Sequence, residues 1–295
     1  MIPELFKIGP FTVYSYGLML GIAFITASYL LAKEFEKKGL GENLANQITL
    51  IAIICGIAGA KLLYVFEHFD RFLENPLGEL FSPGGLTFHG GLILTIIVIY
   101  IFLKRKSIPF LYVADAASPA LALAYGIGRI GCHLSGDGDY GIPTDLPWGV
   151  DYSKGIVPPS VAFRGTDIAE NFPNGIVPDD TPLHPTPVYE FLGALLIFFV
   201  LTRLSKKQMP DGKLFMFYLI LTGLARFLVE FIRINPRVIL GLSQAQIISL
   251  VSMIIGLYGL YYYSKNSNLP KFNPSVLNIK NSSSPNNKNK KKEKA

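Results

Sequence analysis

The chain has 295 residues, of which half are hydrophobic and only 16% are charged, against roughly 25% charged residues in an average soluble domain. With a mean hydropathy of +0.38, this composition excludes a disordered or nucleic-acid-binding chain despite a formal net charge of +6. It points to a polytopic membrane protein.

A helix needs about 20 mostly apolar residues to cross a hydrocarbon core of about 30 Å. Seven stretches qualify, near 14–32, 47–66, 85–103, 110–130, 188–204, 214–232 and 242–263. Lipid offers the backbone no hydrogen-bond partners, so each is predicted to be a helix, and the mostly short connections gather them into one bundle. The predicted fold class is an all-α integral membrane protein, with seven transmembrane helices and an extracytoplasmic cap. Residues 1–265 make up the membrane domain. Within it, 131–187 form a cap with nine prolines and the only tryptophan, Trp148; such a segment reads as ordered and rich in turns. Residues 266–295, rich in Asn, Ser and Lys, read as a disordered basic cytoplasmic tail able to touch anionic lipid. The first stretch does not read as a cleavable signal, because Lys7 is its only preceding cation and Glu4 offsets it.

Orientation follows from the loop cations. Eighteen Lys and Arg residues, in the groups Lys33 to Lys38, Lys104 to Lys106, Arg203 to Lys213 and Lys265 to Lys294, fall on one side, and six fall on the other. The positive-inside rule puts the first side in the cytoplasm, with the N-terminus outside and the C-terminus inside.

Three cations remain within apolar spans: Lys61, Arg129 and Arg226. Each costs about 2.5–3.5 kcal/mol at a helix centre on insertion scales, so anionic partners are expected. On the predicted topology all three occupy the outer half of their helices. Tyr16, His89, Glu190 and Glu230 collect at the same level, so six of the seven spans supply a polar group to one layer. Asp115 lies at the opposite end and is expected to serve elsewhere. Taken singly, these residues also have simpler roles: Arg226 and Glu230, four apart, can neutralise each other, Lys61 can snorkel, and His89 or Tyr16 can be a satisfied packing residue. Independent packing residues have no reason to share a depth, and the shared layer argues for a common function.

Other chemistry finds little support. No Walker-type loop, HExxH or GxSxG occurs. Gly136, Gly138 and Gly141 match GxGxxG formally, but a span rather than a strand precedes them, and Asp137 and Asp139 would repel phosphate. Cys132, His133, Asp137 and Asp139 follow no familiar zinc spacing. Cys55 in mid-span and Cys132 at the outer surface are poorly placed for a disulfide. Adjacent side chains on a helix diverge, which disfavours Cys132 as a nucleophile activated by His133. No soluble cofactor and no metal are expected.

The run from Gly128 to Gly141 (Gly-Arg-Ile-Gly-Cys-His-Leu-Ser-Gly-Asp-Gly-Asp-Tyr-Gly), continued by Pro143 to Val150, strongly resembles the signature of bacterial phosphatidylglycerol:prolipoprotein diacylglyceryl transferases. The blocks Tyr16 to Met19, His89 to Leu92, His184 to Glu190 and Arg226 to Arg233 resemble that family too, in order, from the first span to the sixth. The resemblance implies a seven-helix enzyme of the bacterial inner membrane. Such an enzyme moves the diacylglyceryl group from phosphatidylglycerol to the lipobox cysteine thiol of a prolipoprotein and releases glycerol phosphate. It implies His89, Arg226, Glu230 and Tyr16 as catalytic positions, and Arg129, Asp137, Lys61 and Arg233 as substrate-binding ones. Membrane lipid and the prolipoprotein are the implied partners, without nucleic acid. The family usually carries Asn at Cys132, Asn at Ser135, Glu at Asp137 and Arg at Lys61, so this chain departs from it at four positions. The implied chemistry suits the polar layer, with a base such as His89 for the thiol, and Arg129 and Arg226 for the departing phosphate. A competing class is a membrane transporter or binding protein for an anionic lipid or solute. A transporter needs polar groups at several depths, whereas this layer is one-sided.

Overall fold

The computed structural model describes residues 1–9, 11–82, 87–266 and 271–275. An antiparallel strand pair, β1 (Glu4–Ile8) and β2 (Phe11–Tyr14), leads into α1 (Ser15–Lys37) and α2 (Glu42–Glu67). Two short helices, α3 (Phe69–Glu74) and α4 (Pro76–Phe81), precede α5 (Phe88–Arg105) and α6 (Phe110–Ser135). A folded connection carrying the single-turn helix α7 (Pro159–Ala162) then reaches α8 (Thr186–Ser205) and α9 (Lys213–Val229). The 3-10 turn Glu230–Ile232 and a second antiparallel pair, β3 (Arg237–Ile239) and β4 (Leu242–Ser243), lead to α10 (Gln244–Lys265). Among the described residues, seven helical segments are long and apolar enough to cross a membrane, and they correspond to the seven predicted spans. The protein is an all-α multi-pass membrane protein. The expected tail lies outside the described residues, apart from Asn266 and 271–275.

Two boundaries differ in a way that matters. The fourth span does not stop at Ile130: α6 continues through Cys132 and His133 to Ser135 and ends where Gly136 adopts φ +58°. The hydropathy signal fades before the helix does, because a helix continues until its backbone meets a stop, and glycine in the left-handed region is one. The folded connection therefore runs from 136 to 185 rather than from 131 to 187. Both hairpins escaped the sequence reading, since each is only a few residues long.

The chain divides into two compact units, Met1–Ala27 with Asp115–Pro270, and Ser28–Ala114 with Lys271–Ala295. In the second unit, α2 and α5 pack closely through Gly56, Gly59, Gly90 and Gly91. A Cβ added at Gly91 would stand 2.5 Å from the carbonyl oxygen of Gly56. Backbone cannot retreat as a flexible side chain can, so Gly91→Val should force the helices apart and cost about 1–3 kcal/mol or more. A lowered thermal unfolding midpoint in detergent is expected; an unchanged midpoint would show that the helices tolerate separation.

In the first unit, α8 packs on α9 and α9 on α10. Asp115, buried on α6, accepts hydrogen bonds from the backbone N–H groups of Gly212 and Phe215, both at 2.7 Å. It thus satisfies the orphan donors at the start of α9, a structural duty apart from the polar layer. At the head of α10, Ser243 and Gln246 form a reciprocal capping box. The connection between α6 and α8 folds around a small core of Tyr140, Tyr152, Phe163, Ala169, Val177 and Leu183. Its edge is tied to the chain after α9 by the bridge between Gly141 and Arg233 and by Ile142 N–H donating to Ile232 O at 2.9 Å.

Candidate active site

Alternation of direction within the first unit brings the C-terminal end of α6, the N-terminal end of α8 and the C-terminal end of α9 to one level. Arg129 lies in the last two turns of α6, Glu190 one turn into α8, and Arg226 and Glu230 at the close of α9. Pro187 in the first turn of α8 starts that helix without wasting a donor, which fixes where Glu190 emerges. The bridge from Gly141 to Arg233 then lays Asp139 alongside Arg233.

These residues form a lattice of three guanidiniums and three carboxylates. Glu190, whose side chain is 3% exposed, pairs with Arg226, lies 3.5 Å from Arg129 Nε and 3.3 Å from Arg233 Nη1. The Tyr125 hydroxyl donates to Glu190 Oε1 at 2.7 Å. Arg226 Nη2 faces Glu230 Oε2 at 3.0 Å, and Arg233 Nε stands 3.7 Å from the same oxygen. Asn235 Nδ2 donates to the other oxygen of Glu230 at 2.6 Å, and Arg237 donates to the Glu230 carbonyl at 3.2 Å and to Gln246 Oε1 at 2.7 Å. Asp139 pairs with Arg129 through Oδ2 and with Arg233 Nη2 through Oδ1, the latter at 2.5 Å.

Desolvation of such charges costs several kcal/mol each, and only this degree of mutual pairing offsets it. The paired guanidiniums are still not sealed: the side chains of Arg129 and Arg226 are 21% and 23% exposed, against 4% for Arg233. Two planar, partly open cations on a buried carboxylate frame are chemically suited to an oxyanion. In the loop beyond α6, burial pushes the Asp139 carboxyl upward, but the guanidiniums of Arg233 and Arg129 outweigh it and hold the group below its ordinary range. Burial, reinforced by the charge of Asp139, raises Asp137.

Of the residues singled out from sequence, the first unit brings Arg129, Arg226, Glu230 and Arg233 into one contact network. Tyr16, half-exposed at the start of α1, packs against Gly131 one half-turn beyond Arg129, where a Cβ would meet its ring at 3.2 Å. Asp137 stands beside Cys132 and Asp139, with ligand atoms of the three within 4.8 Å of one another. His133 does not join them, because its Nδ1 pairs with the Tyr152 hydroxyl at 2.9 Å. Both cysteines are free. Lys61 and His89 belong to the second unit. There Lys61 Nζ donates to the carbonyl and hydroxyl oxygens of Ser82 at 3.0 and 2.9 Å, and His89, second residue of α5, meets Phe88 edge-on at 5.8 Å. The sequence reading placed Glu190 in the polar layer without making it a site residue, and it weighed Asp139 only as a metal ligand or a phosphate repellent. The signal for Glu190 was present, since Arg129 and Arg226 near one depth require an anion. Asp139 depends on a backbone bridge that no local pattern announces.

Fold and site together define a multi-pass membrane protein that gathers paired guanidiniums and carboxylates where α6, α8 and α9 meet. A profile of the family described as "Prolipoprotein diacylglyceryl transferase" matches residues 3–262. Three proteins called phosphatidylglycerol--prolipoprotein diacylglyceryl transferase are similar along most of their length. That of Clostridium tetani is 34% identical over 259 residues, covering 88% of this chain and 96% of its own. That of Leptospira interrogans (serovar copenhageni) is 30% identical, covering 85% and 88%, and that of Vibrio cholerae (Classical Ogawa 395) is 34% identical, covering 86% and 89%. The chain belongs to the prolipoprotein diacylglyceryl transferase family.

Proposed function

We propose that this protein transfers the diacylglyceryl group of phosphatidylglycerol to the lipobox cysteine of prolipoproteins. The observation that carries the reading is the pair of partly open guanidiniums, Arg129 and Arg226, fixed on the buried carboxylates Glu190 and Glu230. The acceptor thiol gives its proton to a base, for which His89 is the proposed group, and the thiolate attacks the glyceryl carbon that bears the phosphate ester. The new bond is C–S. The C–O bond breaks, its electron pair leaves with the phosphate oxygen, and glycerol phosphate departs. Arg129 and Arg226 grip the phosphate as its charge grows, in a site where water screens poorly. Glu230 orients Arg226, Tyr16 donates a hydrogen bond to the headgroup, and Arg233 and Asp137 complete the substrate contacts that the first unit supplies; a substrate-binding role for Lys61 is proposed from the family resemblance alone. Acyl chains enter sideways from the outer leaflet, so no soluble carrier is required. Names of relatives support the transfer reaction and lend no weight to transport. Reconstitution with phosphatidylglycerol and a synthetic lipobox peptide is expected to yield a thioether-linked diacylglyceryl peptide by mass spectrometry. Lipid uptake without that product would favour a binding protein instead.

The family supports a place in the bacterial inner membrane, and the loop charges support an N-terminus outside and a C-terminus in the cytoplasm. With Cys55 and Cys132 replaced, Trp148→Cys is expected to react with an impermeant thiol reagent in intact cells, and Arg105→Cys only after permeabilisation. Reaction of both without permeabilisation would overturn the orientation.

A further inference from the structure

One of the two guanidiniums proposed to hold the phosphate, Arg129, pairs with a carboxylate that is partly open to solvent. Of the three carboxylates, Glu190 and Glu230 are 3% and 0% exposed and sit on helical segments, whereas the Asp139 side chain is 33% exposed and sits on a loop. Its Oδ2 pairs with Arg129 and its Oδ1 with Arg233, so it offers Arg129 the kind of oxyanion contact that a phosphate oxygen would. Its backbone is held independently of its carboxylate: the Asp139 carbonyl accepts from the hydroxyl of the fully buried Thr186 at 2.6 Å and from Arg233 Nη1 at 3.0 Å. The side chain can therefore rotate toward solvent without unfolding the loop. Arg233 keeps Glu190 and the Asp139 carbonyl when that happens, while Arg129 keeps Glu190 at 3.5 Å and gives up its nearest carboxylate, which frees Nη1 for another anion. Nearby Asp137 makes the seat still more crowded with negative charge.

We infer that Asp139 is an exchangeable counter-ion: it pairs with Arg129 before lipid binds, and the phosphate of the incoming lipid displaces its carboxylate into water. This inference rests on the proposed use of phosphatidylglycerol. Asp139 is thus a positioning residue that acts through Arg129. Exchange keeps the guanidinium paired at every stage, so lipid binding swaps one anion for another instead of adding a fourth negative group to a lattice already balanced.

The test uses full-length protein labelled with carboxyl-13C aspartate, in phosphatidylcholine nanodiscs with or without dioleoylphosphatidylglycerol, and without peptide. Infrared difference spectra are expected to show a guanidinium-paired 13C-carboxylate band lost and a water-solvated one gained when phosphatidylglycerol is present. Asp139→Glu keeps the charge and the pairing but carries no label there, so both features should vanish from its spectrum. As a second measurement, Asp139→Asn, which removes the competing charge, should lower the KM for phosphatidylglycerol about tenfold, whereas a purely structural residue would raise it. A parent enzyme that makes the thioether product yet shows no change in the aspartate bands on binding lipid would overturn the exchange. A parent that makes no such product removes the functional reading and this inference with it.

Discussion

Glu190→Ala is expected to lower stability by about 3–5 kcal/mol and to abolish transfer, because it strips one buried anion from three guanidiniums at once. Arg129, Arg226 and Arg233 all face this carboxylate, and the Tyr125 hydroxyl donates to it. Rearrangement cannot supply a substitute, since Glu230 and Asp139 are already engaged by the same cations. Glu190→Gln keeps the volume and an acceptor for Tyr125, so it should retain more of the fold while losing most of the activity. Thermal unfolding in detergent and turnover of the folded fraction read the two effects separately. An alanine variant that unfolds at the parental temperature would show that the guanidiniums find their counter-charge in water.

Arg129→Lys is expected to cut turnover by about two to three orders of magnitude although the charge is retained, in line with the loss of one fixed donor to a developing oxyanion. Lysine offers a compact ammonium, whereas the guanidinium here divides its donors, with Nη1 on Asp139 and Nε toward Glu190. A lysine can face one of these or the phosphate, but it cannot hold two in one plane. Single-turnover kinetics with saturating phosphatidylglycerol isolate the chemical step. Parental rates there would mean that Arg129 supplies only general positive potential.

The membrane architecture was legible from sequence because the bilayer imposes length and polarity on each span, and all seven predicted stretches have a corresponding helix. Arg129, Arg226 and Glu230 stood out for the same reason: charge is conspicuous where the solvent is hydrocarbon. Helical periodicity alone gave the pairing of Arg226 with Glu230. What escaped was set by contacts distant in sequence. Glu190 partners residues 36, 43 and 61 positions away, and Asp139 reaches Arg233 only because the strap at Gly141 lies against the chain after α9. The prolongation of α6 to Ser135 was hidden by Cys-His-Leu-Ser, a sequence too polar for a span and perfectly adequate for a helix.

Because the three guanidiniums of this lattice are each paired with carboxylates, with Asp137 adding further negative charge beside Asp139, the proposed site is expected to cast no strong positive field of its own. Anionic lipids are then not drawn in from a distance, and those that differ from phosphatidylglycerol only in carrying more charge gain no advantage at the entrance. Discrimination is left to the last few ångströms, where donor geometry around a single phosphate decides which headgroup stays. Ionic strength, which reshapes long-range attraction, is accordingly expected to have little purchase on lipid choice at such a site.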